Sequence, residues 1–349
     1  ILIVQWGSVL RWELRTKLFL RTAEFYWHEG HTAHASSEEA KEEMYRILDI
    51  YEKFCLEEAA IPVIKGTKSD TERFAGAHTT TSIEAMMWDK RALQSGTSHY
   101  FSTNFAKAFE IQFLNKENVL QFCETTSWAI SSRIIGAMIM VHGDDQGLVL
   151  PPRLAPTQAV IVPIFKKDDE KVKVMEVADR VFMELKAAGI RVKMDDRDNV
   201  SSGFKFNDWE MRGVPVRVEI GPKDVEKGSV ALARRDKPGR EGKTFVPQAG
   251  LDSAVTGLLD EIQASLLKRA TEYRDANIHD PKDYEELKKV VQDGWALSYW
   301  CESRECETKV KEEAKATTRN IPFNQPETEG TCIVCGKPSR RKVYFARAY

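Results

Sequence analysis

The sequence lacks the long apolar run that a membrane-spanning helix needs, since no stretch of its 349 residues approaches about twenty consecutive apolar positions. It also lacks an excess of charge of one sign, because 51 lysines and arginines balance 53 aspartates and glutamates. This balance excludes a protein that binds polyanions through bulk charge, although local basic patches remain possible. Nothing resembles a secretory signal. We therefore predict a cytoplasmic protein that contacts neither membrane nor DNA.

An initiator methionine is missing as well. The chain opens on Ile1 in the apolar run Ile-Leu-Ile-Val, which is typical of the inside of a strand. We therefore expect the chain to start part-way through a domain. At this length more than one domain is the default expectation.

Cysteine is scarce, and four of the six cysteines form two close pairs near the end of the chain. The spacings, Cys301-x4-Cys306 and Cys332-x2-Cys335, are typical of two short knuckles that hold one tetrahedral Zn²⁺ through four thiolates. Two disulfides or four unrelated thiols are the alternatives. The missing secretory signal favours the metal. Four protein ligands leave no open position, so the predicted zinc site is structural.

Composition divides the chain into three blocks. The first mixes strand-like runs at 5–14 and 113–128 with a helix that is capped near Ser36 and ends near Glu58. It closes at the stiff, proline-rich run 151–156. The predicted domains are residues 1–154, 155–255 and 256–349.

The second block alternates strand and helix patterns, which predicts a small α/β unit with helices over a mixed sheet. The third block opens with two charged helical patterns ahead of the cysteine pairs. The predicted elements are strands at 159–165, 190–194 and 214–220, and helices at 174–188, 204–212, 254–273 and 284–297.

Three arginine-bearing segments of the first block could carry chemistry. In an extended strand, Arg11 and Glu13 would project to one face and Trp12 to the other. On the inner face of a sheet, the two opposite charges must pair with each other or with a ligand. Arg21, beyond a turn, could return beside Arg11. Taken alone, an Arg–Glu pair is more often a structural ion pair.

The second segment is the run Gln94-Ser-Gly-Thr97-Ser-His99, which taken alone is more often a turn. In the third, small polar residues at 125–132 lead into Arg133, which we predict to open a helix. A guanidinium fixed in this way suits phosphate oxygens.

Together these segments resemble the catalytic domain of class II aminoacyl-tRNA synthetases, an antiparallel-sheet fold, and in detail the prolyl-tRNA synthetases of the archaeal and eukaryotic kind. Arg11-Trp-Glu13, Phe19-Leu-Arg21-Thr22 and Trp27-His-Glu29-Gly-His31 are similar to motif 2 of the family, and the run 126–133 is similar to motif 3. The resemblance extends from about Gln5 to Tyr349, through an α/β anticodon-binding domain and a C-terminal zinc-binding α/β module.

The resemblance implies a reaction, its cofactors and its site residues. Proline would be activated by ATP with Mg²⁺, and the prolyl group would pass to the 3′ end of tRNA(Pro) in a homodimeric enzyme. Arg11 and Arg133 would be catalytic, with Arg11 bridging the proline carboxylate and the α-phosphate. The implied ATP-site residues are Arg11, Glu13, Arg21, Thr22, Gln94, Thr97, Ser131 and Arg133, and the implied proline-site residues are Arg11, Trp27, Glu29, Phe74 and His99.

The resemblance also implies contacts to the tRNA. By their match to the family pattern, Glu210, Arg217, Lys223 and Asp224 would bind the anticodon. Carboxylates can accept from guanine N1 and N2, while the cations donate to O6. In the family the C-terminal tail folds back toward the catalytic domain, and Tyr349 matches the end of that tail.

The chain departs from the family in two respects, and a third feature separates it from the bacterial kind. Motif 1 and a loop that holds the proline nitrogen would precede Ile1, and Ala129 replaces the glycine usual after the motif 3 tryptophan. The distance from Arg21 to Arg133, about 110 residues, leaves no room for an inserted editing domain. Two alternatives to the ligase therefore stay open: a non-catalytic tRNA-binding paralogue or fragment, and a zinc-stabilised RNA-binding protein.

Overall fold

A computed structural model describes all residues from Ile1 to Tyr349. Its contacts divide the chain into two compact units. One unit contains residues 1–57, 61–141 and 271–349, and the other contains residues 58–60 and 142–270. None of the helices has the combination of length and apolar character that crossing a membrane requires.

The first unit is built on a seven-stranded antiparallel sheet in the order β1-β2-β8-β5-β4-β3-β17. Its last strand comes from near the end of the chain, with Ile321 opposite Thr67 of β3. Gly66 permits this pairing, because a Cβ there would overlap the carbonyl oxygen of Ile321. The strands are β1 (Leu2–Leu10), β2 (Glu24–His34), β3 (Val63–Thr67), β4 (Thr79–Met86), β5 (Ala92–Ser102), β8 (Glu124–Ser131) and β17 (Ile321–Pro322).

Helix α1 (Ser37–Lys53) covers one face of this sheet. Its Ser36 N-cap accepts a hydrogen bond from the backbone N–H of Glu39, and Met44 and Leu48 are among its buried residues. The helix predicted from Ser36 is therefore confirmed, and its last turn continues as the short π-helix Phe54–Glu58. The same unit contains α2 (Asn104–Ala108), α3 (Arg133–His142) and the hairpin of β6 (Gln112–Leu114) and β7 (Leu120–Phe122).

Both strand-like runs predicted for the first block differ from the structure. The run 5–14 stays in the sheet only to Leu10, where the pairing of β1 with β2 ends opposite Glu24. The run 113–128 is interrupted by a turn in which Asn115 Oδ1 accepts from the backbone N–H groups of Glu117 and Val119. A short hairpin therefore precedes β8.

The second unit contains a five-stranded sheet in the order β10-β9-β11-β12-β13. Its interior strand β9 (Ala159–Pro163) is buried at every position, because helices cover both of its faces. Strands β10 and β11 run parallel to β9, and the other pairings are antiparallel, so the predicted mixed sheet is confirmed. The remaining elements are α4 (Asp168–Ala187), β10 (Val192–Met194), α5 (Ser202–Met211), β11 (Val216–Ile220), α6 (Pro222–Lys227), β12 (Ser229–Arg234), β13 (Lys243–Pro247) and α7 (Leu251–Ala276).

The C-terminal part of the first unit is a four-stranded sheet, β14-β15-β20-β16, with two helices. The helix predicted over 284–297 is wrong beyond Val290. Trp295 and Ala296 are buried in strand β15, which pairs with β20. This pairing outweighs the helical pattern of the local sequence. The elements are β14 (Ile278–His279), α8 (Tyr284–Val290), β15 (Trp295–Tyr299), α9 (Arg304–Ala314), β16 (Thr317–Thr318), β18 (Gly330–Thr331), β19 (Pro338–Ser339) and β20 (Lys342–Ala346).

A buried ionic cluster ties this C-terminal part to the seven-stranded sheet. Glu84 of β4 is fully buried, and its carboxylate lies 2.6 Å from the Lys68 ammonium and 2.9 Å from the Arg319 guanidinium. The Lys68 ammonium also donates to the main-chain carbonyl of Arg319 at 2.6 Å. Each charged group therefore has an opposite charge beside it inside the protein, with two cations sharing one carboxylate.

Candidate functional site

A cavity of about 710 Å³ opens over strands β2, β5 and β8. The lining includes nine of the residues that the sequence singled out, which come from five separate segments. They are Arg11, Trp27, Glu29, Phe74, Gln94, Thr97, His99, Ser131 and Arg133. Three further residues predicted for the ATP site, Glu13, Arg21 and Thr22, lie in the loop between β1 and β2 and are not part of the lining.

Strand register explains why these residues meet. Glu29 of β2 lies opposite Ala129 of β8, which in turn lies opposite Thr97 of β5. Because alternate residues of a strand face the same side, the neighbours two positions away also reach this face. They include Trp27, Ser131 and His99, so one row of side chains crosses three strands and forms the cavity floor. Ala129 is at the centre of this row.

Arg11 reaches the cavity from a loop, so the predicted extended strand through Arg11 and Glu13 is wrong. The chain leaves β1 after Leu10, and the Arg11 backbone N–H donates to the carbonyl of Ala23 at 2.7 Å. Its guanidinium lies 5.4 Å from the ring centres of both Phe25 and Trp27. Two aromatic faces thus orient this cation.

Arg133 opens α3, as predicted, and its side chain joins two parts of the site. Nε donates to the carbonyl of Leu20 at 2.9 Å, and Nη1 donates to the carbonyl of Gln94 at 3.3 Å. Burial lowers the pKa of Arg133, and the neighbouring cations Arg21 and Arg11 lower it further. Arg133 is therefore repelled by two other guanidinium groups near the cavity. An anionic ligand would relieve this repulsion.

The loop between β1 and β2 supplies the remaining predicted residues. The carboxylate of Glu13 lies 3.7 Å from the guanidinium of Arg21, and both side chains are partly exposed. Lys17 and Arg21 exchange backbone hydrogen bonds at 2.6 and 2.8 Å, which closes the loop. Glu13 and Arg21 are therefore close together at the edge of the cavity-bearing sheet.

One end of the cavity is aromatic. The rings of Phe74 and His99 are 4.9 Å apart, and His99 Nδ1 is 2.9 Å from Thr80 Oγ1. Burial lowers the pKa of His99 to about 4, so the imidazole is neutral at neutral pH. Phe101 extends this wall and was not predicted from the sequence. Its position two residues after His99 on β5 was the available signal, because both side chains face the same side.

The second unit holds a smaller cavity of about 260 Å³, which brings together only two of the four predicted anticodon residues. Glu210 and Arg217 line it and form an ion pair at 3.0 Å. Lys223 and Asp224 belong to α6 and are not part of the lining. The Asp224 carboxylate instead accepts from the backbone N–H of Gly221 at 2.9 Å and so caps its own helix.

The four clustered cysteines come together as the sequence predicts. All four Sγ atoms lie within 4.8 Å of one another, and all six cysteines of the chain are free. Cys301 Sγ is 3.7 Å from that of Cys306 and 3.6 Å from that of Cys335. Four converging thiols with no disulfide between them are a donor set that fits Zn²⁺.

The chain terminus contacts the β1–β2 loop and the start of β5. The Tyr349 hydroxyl donates to Asp89, and its ring lies 4.0 Å from the ammonium of Lys17. The backbone N–H of Ala92 donates to the carbonyl of Arg347 at 2.8 Å. The terminal segment is therefore docked on the sheet that carries the larger cavity.

Three family models match the chain in sequence order. Residues 1–142 match the tRNA synthetase class II core domain (G, H, P, S and T), residues 158–246 match the anticodon binding domain, and residues 284–349 match the prolyl-tRNA synthetase C-terminal domain.

Individual proteins similar to this chain agree with these three family models. A proline–tRNA ligase of Roseiflexus sp. is 55% identical over all of this chain and 73% of its own length. A chloroplastic/mitochondrial proline–tRNA ligase of Arabidopsis thaliana is 50% identical over all of this chain and 65% of its own length. A crystal structure of prolyl-tRNA synthetase from Cryptosporidium parvum, complexed with L-proline and AMP, superimposes with a TM-score of 0.95 at 38% identity. The match covers all of this chain and 75% of the Cryptosporidium parvum chain.

Proposed function

This chain belongs to the prolyl-tRNA synthetase family, and we propose that it ligates L-proline to tRNA(Pro) at the cavity over β2, β5 and β8. The observation that supports this location is the meeting of Arg11 and Arg133 with Glu29 around a single cavity that has an aromatic end. Cations suit the phosphates of ATP and the carboxylate of proline, while the aromatic end suits an apolar ring.

The cationic part of the cavity is the proposed ATP site. Arg11 bridges the proline carboxylate and the α-phosphate, and Arg133 holds the phosphate chain together with Arg21. Glu13 accepts from the adenine amino group, and Thr22 adds a hydroxyl at the same edge. Gln94, Thr97 and Ser131 line the cavity, and their side chains carry oxygen atoms, the ligand type that Mg²⁺ takes when it is shared with substrate phosphates. When bound, the ion would neutralise phosphate charge.

The aromatic end is the proposed proline site. Trp27, Phe74 and His99 form walls for the pyrrolidine ring, and the neutral state of His99 adds no repulsion to the positive ring nitrogen. Glu29 lies on the cavity floor, where its carboxylate can offset that positive charge. Its side chain also accepts a 2.8 Å hydrogen bond from Gln5 Nε2.

The chemical step requires the two reactants to be held in line and the negative charge on the phosphate to be stabilised, and it does not require a base. One oxygen of the proline carboxylate attacks the α-phosphorus, the bond to pyrophosphate breaks, and prolyl-adenylate forms. A carboxylate is already a competent nucleophile, so the protein need not remove a proton. Arg11 and Arg133 stabilise the negative charge that accumulates on the phosphoryl oxygens and hold the reactants in line. The 3′-terminal hydroxyl of tRNA(Pro) then attacks the prolyl carbonyl and releases AMP.

Two assays test this function against its alternatives. A ligase exchanges pyrophosphate into ATP in the presence of proline and then charges tRNA(Pro). A non-catalytic paralogue or a zinc-stabilised RNA-binding protein would bind tRNA without any exchange. Retention of Arg11, Arg133, Gln94 and His99 in one cavity favours the ligase, since RNA binding alone does not require them. Tight tRNA binding without proline-dependent exchange would refute the proposal.

Residues 155–255, which lie within the second unit, are the proposed anticodon-binding domain, between a catalytic domain (1–154) and a zinc-binding module (256–349). Glu210→Ala should weaken charging of tRNA(Pro) about tenfold while leaving proline-dependent pyrophosphate exchange intact, because Glu210 is not part of the lining of the cavity proposed for ATP and proline. The comparison is with Glu176→Ala, which removes an exposed carboxylate of α4. Equal loss of both activities in the Glu210 variant would exclude this role.

The cysteine cluster is a proposed structural zinc site. Cys301, Cys306, Cys332 and Cys335 would hold the ion, which would stabilise the fold without taking part in catalysis. We expect elemental analysis to find about one zinc per chain. Cys306→Ser should lose the zinc and lower the thermal midpoint, while Cys123→Ala, outside the cluster, should keep the zinc. A metal-free protein with an unchanged midpoint would contradict the assignment.

The short connection between Arg21 and Arg133 supports an enzyme of the archaeal and eukaryotic kind, without editing in cis. Selection of proline over alanine then depends on a few methylenes, which are worth only about 1–3 kcal/mol. We expect alanyl-tRNA(Pro) to survive incubation with the protein as long as it survives in buffer. Deacylation of alanyl-tRNA(Pro) faster than in buffer alone would contradict this prediction.

A homodimer and a cytoplasmic location complete the proposal. Strand β1 and the loop after it expose large apolar side chains, among them Trp6 at 82% and Trp12 at 94% exposure. Apolar surface of this extent favours a protein partner, and a second copy is the simplest one. Sedimentation that gives a monomer at micromolar concentration would count against it. The free cysteines favour a reducing compartment.

A further inference from the structure

One wall of the larger cavity is carried by a loop rather than by a strand. Residues 68–78 connect β3 to β4 and contribute Glu72 and Phe74 to the lining. The Phe74 side chain is 51% exposed, so packing alone does not fix it. Its backbone N–H donates to Thr80 Oγ1 at 3.2 Å. The position of this aromatic wall therefore depends on the backbone of the 68–78 loop.

The first turn of the 68–78 loop is bound by Glu307 of α9. Ser69 Oγ donates to one carboxylate oxygen of Glu307 at 2.7 Å, and Thr71 Oγ1 donates to the other. Ser69 Oγ also accepts from the backbone N–H of Glu72 at 3.3 Å. One carboxylate from the C-terminal part thus holds the turn that ends two residues before Phe74.

Burial makes the geometry of this contact strict. Glu307 is only 5% exposed, and a buried carboxylate is costly unless hydrogen bonds compensate it. Its compensation comes from hydroxyl groups, since Thr318 Oγ1 donates to the same oxygen as Ser69. Two of these three donors belong to the 68–78 loop. The carboxylate therefore stabilises the one loop position in which both hydroxyls reach it.

We propose that Glu307 is a positioning residue for the proline pocket, through which the C-terminal part of the chain sets the place of the Phe74 wall. This inference rests on the proposed ligation of proline at the larger cavity. Glu307 is outside the lining, so it acts through the loop. The buried ionic cluster around Glu84 already ties the C-terminal part to the sheet, whereas the hydrogen bonds of Glu307 reach further along the loop.

The test compares Michaelis constants in proline-dependent pyrophosphate exchange by the full chain. Glu307→Ala removes the acceptor of both loop hydroxyls and should raise KM for proline about five- to tenfold, because a displaced wall loses contact with the pyrrolidine ring. KM for ATP should change less than about twofold, since Phe74 is not among the residues proposed to bind ATP. Thr71→Val removes only one of the two contacts and should raise KM for proline about two- to threefold, even if Glu307→Ala folds poorly.

A matched variant separates positioning from a merely structural role. Thr318→Val removes a donor to the Glu307 carboxylate and leaves both loop hydroxyls in contact with it. The 3.1 Å between Thr318 Oγ1 and Ser69 Oγ is not a further hydrogen bond, because both protons go to the carboxylate. Thr318→Val should therefore lower the thermal midpoint without raising KM for proline.

Three results would overturn the inference. They are an unchanged KM for proline in Thr71→Val, an equal rise in Thr318→Val, and equal rises in KM for proline and KM for ATP. Absence of proline-dependent exchange in the wild-type protein would instead refute the ligase function.

Discussion

Replacement of Arg11 by methionine is expected to lower kcat/KM for proline-dependent pyrophosphate exchange by about 10²–10³-fold. The side chain lines the cavity and lies over the rings of Phe25 and Trp27, while its backbone N–H is held by Ala23. Methionine can retain the contact with the rings and loses only the charge. The loss should therefore appear in the chemical step rather than in folding.

A neighbouring arginine provides the matched control for this experiment. Arg15 is exposed in the same loop, and Arg15→Met should leave exchange within about twofold of wild type, because exposed charges contribute little. Thermal midpoints of both variants should match that of the wild type. If Arg11→Met retained full exchange, Arg11 would not stabilise the transition state.

Removal of Arg319 should have the largest effect on stability. Arg319→Met leaves the buried Glu84 carboxylate with Lys68 as its only cationic partner among these three residues, and breaking a buried ionic group of this kind costs about 3–5 kcal/mol. The free energy of unfolding, measured with urea, should fall by that amount. Arg341→Met is the control, since its 3.3 Å ion pair with Glu302 is half-exposed and worth less than about 1 kcal/mol.

The pH dependence of stability should change in the same variant. Burial acts to raise the pKa of Glu84, but Arg319 and Lys68 outweigh it and hold this pKa below its ordinary value of 4.5. Because the folded pKa lies below the unfolded one, the stabilisation is complete above the unfolded value and is lost as pH falls through the folded value. Without Arg319 the folded pKa of Glu84 should rise, so the loss of stability in acid should be smaller and should be complete at a higher pH. Equal acid sensitivity and equal unfolding free energy in the variant and wild type would contradict the assigned role of this cluster.

Local patterns predicted the elements that local forces determine. The Ser36 cap and the helical spacing of Met44 and Leu48 were sufficient to place α1, and the apolar run at 159–165 was sufficient to place β9. The cysteine spacing predicted the thiol cluster. The meeting of Arg11 and Arg133, 122 positions apart in sequence, could not be derived from local patterns, and it was expected only through the family resemblance.

Contacts between distant residues were the part that the sequence did not reveal. The helical pattern over 284–297 failed because strand β20, more than forty residues later, pairs with Ala296 and the residues after it. Nothing in the sequence indicated that the Glu219 carboxylate accepts a hydrogen bond from Lys243, because the two residues lie on different strands. Arg11 left its predicted strand because the hairpin register ends at Leu10. Each difference depends on a partner far along the chain.

The pairing of β17 with β3 makes the order of synthesis on the ribosome important. Strand β3 and Glu84 emerge about 240 residues before Ile321 and Arg319, which complete them. Until then the nascent chain presents an open strand edge and a carboxylate that lacks one of its two cations, a combination that favours association with other unfinished chains. Translation that stops short of residue 319 should therefore yield aggregation-prone products, even though every residue in the lining of the larger cavity has already been made.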